Sequence, residues 1–293
     1  MQKKYKAVFF DWDGTAVMSR KACADEAVSA MKGLLKKGIK LVIVSGTTYE
    51  HIIDGRIQER FTAEELNHLY LGLGRGAFNY HFENGRPVIF ADCIPAKKDL
   101  LRIHDVCYQM HRTLLEQYDF KTDIIFTRPN YCKLDLAVEN DRGEQLFMQG
   151  NEIDALREKL KKHGICEGIE GLTALSKETG EVYGVNVSAT CDAKYLEIGI
   201  SDKSDNVRTI FKRLQDEFGI QAEDCSFWGD EYVGIQDDIF GSDAFMITEE
   251  TKNGDFFDVS SLKGARPPQV QVPGGGVNTF LGFLTELDRS LTH

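Results

Sequence analysis

Two aspartates set two positions apart carry the first chemical signal in this chain. Asp11 and Asp13 follow the apolar run Ala7-Val8-Phe9-Phe10 and precede Gly14. While the backbone stays extended, side chains at i and i+2 point to the same side, so both carboxylates face one way, and the glycine lets the chain turn at once. Two close carboxylates repel. Such a pair is stable when a divalent cation shares it or when one member holds a proton. Oxygen-only ligands suit a hard ion such as Mg²⁺, which keeps several waters and readily takes a substrate phosphate into its shell. Three further polar residues end apolar runs in the same manner: Ser45 after residues 39–44, Lys203 after residues 195–200, and Asp230 after residues 226–228 and Gly229. In an open parallel sheet, ligands bind in the crevice beyond the carboxyl ends of the strands, so these groups are expected to converge there.

The elements that must position them are readable from periodicity. Residues 5–10 and 39–44 are continuous apolar runs, and between them residues 24–37 place Ala27, Val28, Met31, Leu34 and Leu35 at helical spacing before Gly38. Strand, helix, strand with both strands wholly apolar marks a parallel sheet covered on both faces. The pattern returns with a strand over 195–200, an amphipathic helix over 204–218 carrying Val207, Ile210, Phe211 and Leu214 on one face, and strands over 226–228 and 244–247. A helix over 277–291 closes the series, and the Pro267-Pro268 and Pro273-Gly274-Gly275-Gly276 stretches read as loop. From about 92 to 194 the rhythm changes to helices over 98–118 and 152–163 among strand-like runs at 133–138 and 182–187, with no acidic pair at a loop. The fold class expected is therefore α/β, a doubly wound and mainly parallel sheet formed by residues 1–91 and 195–293, with an inserted α+β domain over 92–194.

Composition narrows the partners. The chain has 293 residues, and 35 Lys and Arg against 46 Asp and Glu give a net charge of −11, which repels phosphate backbones and anionic lipid, so neither nucleic acid nor a membrane is the expected partner. No stretch reaches the roughly 20 apolar residues of a membrane span. The seven cysteines are dispersed without a C-x-x-C pair, the pattern of reduced thiols, and a cytoplasmic location is expected. His51, His68, His81, His104, His111, His163 and His293 form no H-x-x-H pair, which disfavours zinc. The alternation of Phe78, Tyr80 and Phe82 reads as strand packing.

The run Val8-Phe9-Phe10-Asp11-Trp12-Asp13-Gly14-Thr15 resembles the first signature of the haloacid dehalogenase-like phosphatases, an apolar strand followed by D-x-D-G-T. Val42-Ile43-Val44-Ser45-Gly46 is similar to the second motif, Lys203 to the third, and Phe227-Trp228-Gly229-Asp230 to the fourth, with the insert where the Cof-like, C2-capped branch carries its cap. The resemblance implies that Asp11 is the nucleophile that forms an aspartyl-phosphate and that Asp13 is the general acid and base. It implies further that Ser45 binds a phosphoryl oxygen, that Lys203 offsets the clustered negative charge, and that Asp11, Asp13 through its backbone carbonyl, and Asp230 hold Mg²⁺. Taken alone, Ser45 is also what the N-cap of a following helix requires, and Lys194 or Lys212 could compete with Lys203.

The chain departs from the family after Asp230. The short spacer to N-D is replaced by Glu231-Tyr232-Val233-Gly234-Ile235-Gln236-Asp237-Asp238, similar to the looser acidic loop of phosphomannomutases, and Glu231, Asp237 and Asp238 all remain candidates for supporting the metal or holding Lys203. Within the insert, Arg128, Lys133, Lys177 and Lys194 could grip a leaving group, and Arg75 after Gly72-Leu73-Gly74 could sit in the core loop that faces it, but no spacing selects among them. The implied activity is a Mg²⁺-dependent phosphatase acting on a small phosphorylated metabolite, a sugar phosphate by analogy with Cof-like relatives, beneath a mobile lid. A phosphosugar mutase and a catalytically silent binding module are the alternatives.

Overall fold

A computed structural model describes residues 3–138, 152–236 and 239–291 of the chain. In chain order the elements are β1 (Ala7–Phe10), α1 (Asp25–Lys36), β2 (Lys40–Ser45), α2 (Ala63–Leu66), β3 (Leu69–Leu73), β4 (Phe78–Glu83), β5 (Arg86–Asp92), α3 (Lys97–Tyr118), β6 (Asp123–Ile125) and β7 (Tyr131–Asp135). There follow α4 (Glu152–Lys162), α5 (Gly168–Val182), β8 (Ser188–Cys191), β9 (Tyr195–Gly199), α6 (Lys203–Phe218), β10 (Cys225–Gly229), β11 (Gly234–Gln236), β12 (Ile239–Phe240), β13 (Asp255–Asp258), β14 (Val270–Gln271) and α7 (Gly276–Ser290).

An eight-stranded sheet runs in the order β14-β13-β10-β1-β2-β3-β4-β5. It is parallel from β14 to β3, and β4 and β5 add an antiparallel edge. β1 lies at its centre, and its continuous apolar sequence has a physical cause. Val8 and Phe10 enter the core beneath α1 and α7, while Ala7 and Phe9 enter the core beneath α6. A strand buried on both faces has no polar side to alternate with. Continuing the alternation sends Asp11 toward the α6 face, and its N–H still joins the ladder by donating to the Trp228 carbonyl at 2.9 Å.

A second sheet, β6-β7-β9-β8, is antiparallel throughout and packs with α3 and α5 around its own core of Ile103, Met110, Leu134, Leu172, Leu196 and Ile198. The strand read over 195–200 belongs here and not to the parallel sheet, so the chain leaves the second sheet after Gly199 rather than at residue 194. Its alternating burial explains the difference: Leu196 and Ile198 face the second core, and Tyr195 and Glu197 face away from it.

Two other expected strands are corrected. Residues 182–187 are the end of α5 and its exit turn, with the strand beginning at Ser188. Residues 244–247 fall largely within a 3₁₀ turn, Ser242–Met246, and β13 and β14 supply the parallel strands instead. The helix expected after Ser45 is replaced by short 3₁₀ turns at Tyr49–His51, Ile53–Gly55 and Ile57–Arg60. The left-handed backbone of Ile53 and Asp54 breaks the segment, so no α-helix runs through it. Among the described residues no helix is long and apolar enough to cross a membrane.

Candidate active site

Asp11, Asp13, Ser45 and Lys203 line one cavity of about 190 Å³ at the carboxyl ends of the central strands, where the second sheet meets the first. Lys203 is the first residue of α6, which begins with a capping box between Asp202 and Asp205. A cation in the first turn opposes the helix dipole, so another interaction must hold it. That interaction is twofold: Nζ donates to Asp11 Oδ1 at 2.9 Å and to Asp243 Oδ1 at 2.7 Å, all three side chains being buried. Burial alone would lower the Lys203 ammonium, but Asp11 and Asp243 drive it well above its ordinary value.

Asp243 is the residue that sequence reasoning missed. Its other oxygen accepts from the backbone N–H groups of Asp230 at 3.0 Å and Glu231 at 2.8 Å, so one carboxylate organises the whole acidic loop. Glu231, one of the three candidates for holding Lys203, instead accepts from Ser242 Oγ at 2.8 Å. Asp237 and Asp238 lie outside the described residues. The signal was obscured because the twelve residues between Asp230 and Asp243 include a hairpin, β11–β12, which turns away from the cavity before the chain returns. Gly241-Ser242-Asp243, an acid soon after a glycine that permits the return, was the available clue.

Two glycines make the cluster possible. A Cβ at Gly14 would lie 2.2 Å from Asp230 Oδ2, and one at Gly229 would lie 2.3 Å from Asp243 Oδ2. Gly14 also holds a left-handed φ of 87°, which only glycine adopts without strain. Asp230 therefore rests directly on the loop that carries Asp11 and Asp13, and it accepts from Thr15 Oγ1 at 3.2 Å.

Asp13 has a partner that no spacing announced. Arg20 Nη2 lies 2.9 Å from Asp13 Oδ2, and the other carboxylate oxygen, Oδ1, is buried with no partner. Burial raises the Asp13 carboxyl against the pull of Arg20. Burial likewise pushes Asp11 up to about 8, with Lys203 opposing and Asp243 and Asp13 adding to the rise. Glu231 is pushed up to about 7 by burial and by Asp243. Asp230 stands well above the usual carboxylate range through burial and the charges of Glu231, Asp243 and Asp11. Ser45 is buried beside them, and its Oγ accepts from the Thr47 N–H at 3.3 Å.

The far wall comes from the second sheet and the β3–β4 turn. Arg75 Nε is 3.0 Å and Lys133 Nζ 2.7 Å from Glu197, and Arg75 Nη2 donates to Thr190 Oγ1 at 2.7 Å. The two cations hold Glu197 below its ordinary value despite its burial. Arg128 also lines the cavity. Lys177 and Lys194 do not; Lys177 is exposed on α5 and Lys194 pairs with Asp135 at 3.3 Å. Lys212 pairs with Asp216 on the outside of α6 and is no rival to Lys203.

The donor set fits a hard divalent cation. Lys203 pairs with Asp11 and Asp243 and Arg20 pairs with Asp13, while among the described residues no Lys or Arg pairs with Asp230 or Glu231. Among the described residues no three His, Cys, Asp or Glu side chains form a ready metal cage. Two carboxylates and a main-chain oxygen, completed by water, match the open, oxygen-only shell that Mg²⁺ takes.

Over 235 residues the chain is 25% identical to the Mycoplasma genitalium protein MG265, which carries a provisional phosphatase name; the match spans 77% of this chain and 81% of that relative. Its fold is similar to that of an IMP-nucleotidase from Plasmodium falciparum (TM-score 0.55, 11% identity), covering 98% of this chain and 63% of that longer one. It is similar also to the sucrose-phosphatase of Synechocystis sp. PCC6803 (TM-score 0.55, 14% identity), covering 97% of this chain and 98% of that one. Residues 8–236, which include Asp11, Asp13, Ser45, Lys203 and Asp230, match the haloacid dehalogenase-like hydrolase family, and the chain belongs to it.

Proposed function

We propose that this hydrolase is a phosphatase of a small phosphorylated metabolite, a sugar phosphate as its first candidate, working through an aspartyl-phosphate on Asp11. The observation that carries the proposal is the bridge from Lys203 to Asp11 across 192 residues of sequence, which gathers nucleophile, charge balance and acidic loop at one cavity. Asp11 attacks phosphorus; the new carboxylate O–P bond forms as the ester P–O bond breaks, and Asp13 gives a proton to the departing oxygen. Asp13 then takes a proton from a water that attacks the same phosphorus, which frees Asp11 and releases inorganic phosphate. The partnerless Oδ1 of Asp13 supports this role, since an orphaned buried oxygen is where a transferable proton is stabilised.

Ser45 Oγ and the N–H group of Gly46 bind phosphoryl oxygens, and Lys203 balances the charge on Asp11 and phosphate. Mg²⁺ held by Asp11, Asp230 and the Asp13 carbonyl would supply further charge stabilisation and favour the ionised nucleophile. The cavity wall of Thr48, His51, Thr190 and Asp192 offers hydrogen bonds suited to a hydroxyl-rich leaving group. Of the extra residues that suggested a mutase, Gly234–Gln236 pair with Ile239–Phe240 and Gln236 bonds to α5 beside the second sheet, so these described residues give that reading no support.

The test is release of inorganic phosphate from sugar phosphates, nucleoside monophosphates and a sugar monophosphate with bisphosphate activator, each with and without Mg²⁺. Mg²⁺-dependent release, fastest with sugar phosphates, is expected. Isomerised sugar phosphate without free phosphate, or no turnover of any compound, overturns the proposal.

A further inference from the structure

The geometry points to a homodimer formed by antiparallel pairing of α3 with α3 of a second copy of this chain. At 22 residues, α3 is about 33 Å long. Ile103, Val106, Cys107, Met110 and Leu114 bury one face of it against the second sheet. A separate line of large side chains points outward at seven-residue spacing: Leu101 is 51% exposed, Tyr108 56% and Leu115 42%. His104, His111 and Tyr118 are partly exposed between them, giving the alternating three- and four-residue spacing of a coiled-coil seam. The His104 ring packs at 4.8 Å, tilted, against Phe126, itself 41% exposed just beyond β6, so the apolar line continues onto the edge of the sheet. A contiguous apolar line of this kind on a surface otherwise rich in charge marks an interaction site.

The flanking charges select the occupant. Lys98, Asp105, Arg112 and Asp119 follow one another at seven-residue intervals along the exposed flank, alternating in sign. About a twofold axis passing beside Tyr108, Lys98 meets Asp119 of the second copy and Asp105 meets its Arg112, and symmetry repeats both pairs. Sliding the helices by one heptad would set Lys98 against Arg112 and Asp105 against itself, so charge fixes the register as well as the direction. Arg112 currently pairs with Glu116 at 2.6 Å on its own helix, an exposed contact worth little that it can share. The opposite face of the second sheet, bearing Tyr131 and Lys133, lines the cavity, so a dimer formed through α3 leaves the cavity open.

The test is molar mass by light scattering and sedimentation over a range of concentrations. The intact chain should be a dimer, and Tyr108→Glu combined with Leu115→Glu should be a monomer with an unchanged circular dichroism spectrum, since both side chains are exposed. Asp105→Arg should weaken association by about tenfold or more, and adding Arg112→Asp should restore it. A monomeric intact chain, or a dimer that survives Tyr108→Glu with Leu115→Glu and ignores both charge swaps, overturns the inference.

Discussion

The loops that follow β1 and β10 leave neighbouring parallel strands at the same end of the sheet, where Asp11 and Asp13 of one and Glu231 of the other line one cavity, yet they are built on opposite principles. In the first, Asp11 and Asp13 sit within three residues of the strand end, and a single left-handed glycine completes the turn. In the second, Asp230 and Asp243 are thirteen positions apart, and a hairpin between them reaches out to the second sheet. Ile235 is wholly buried in that sheet's core. Gln236 accepts from the Ile169 N–H at 2.7 Å and donates to the Glu167 carbonyl at 3.0 Å, and Arg157 donates to the Ile235 carbonyl. A local loop takes its geometry from its own backbone, whereas a divided one takes it from whatever holds its middle.

The largest effect expected is from Asp11→Asn in the local loop, which should lower phosphate release by about a thousandfold or more while the protein stays folded. Full turnover in that variant would remove Asp11 from the chemistry.

In the divided loop, Asp243→Ala should lower turnover by roughly a hundredfold and also cost about 3–5 kcal/mol of stability in denaturant unfolding, because Lys203 loses one of its two buried partners. If Glu231→Gln proved the more damaging of the two, the role given to Asp243 would be misplaced.

Gln236→Ala lies farther out, touching neither substrate nor acids. It should lower turnover by less than about tenfold while speeding hydrogen exchange at the start of α5. Equal turnover and unchanged exchange would mean that the hairpin holds nothing.

The smallest effect is in pH. Asp11 and Glu231 are raised to about 8 and about 7, so in this region the folded state binds more protons than the unfolded chain. Stability contributed by a raised carboxyl is complete at low pH and is lost as pH climbs through the folded value. His68, His81 and His104 are lowered, mainly by burial, and pull the other way only below their ordinary 6.5, so the clean window runs from there to about 8. In chelator-treated protein the melting temperature should fall over that window, and Mg²⁺ should flatten the slope. A rise instead would contradict the crowding of acids at the cavity.

The contrast between the loops also explains how much could be read beforehand. The parallel core was legible because strands buried on both faces leave uninterrupted apolar runs, as at Ala7–Phe10, and because Gly14 punctuates the turn beside the acids it serves. Ser45 was legible as the polar group that ends β2, whereas Lys203, which opens α6 after a strand of the other sheet, was singled out only by its likeness to the family's third motif. Asp243 was not, since the hairpin separates it from Asp230, and its buried setting depends on contacts with Lys203 and Gly229 made only in the folded chain. Arg20 and Glu197 were equally hidden; a surface ion pair and a buried one have the same sequence. Tyr195–Gly199 was assigned to the wrong sheet because a short apolar alternation does not announce its neighbours.

Ile235 ties the acid cluster to the part of the molecule that roofs it. Any swing that lifts the roof must either drag the segment bearing Asp230 and Asp243 out of place or extract an isoleucine from a packed interior. On the proposed reading, lifting the roof to admit a ligand would also disturb the acids beneath it, so entry and readiness to react would hang on the one buried isoleucine.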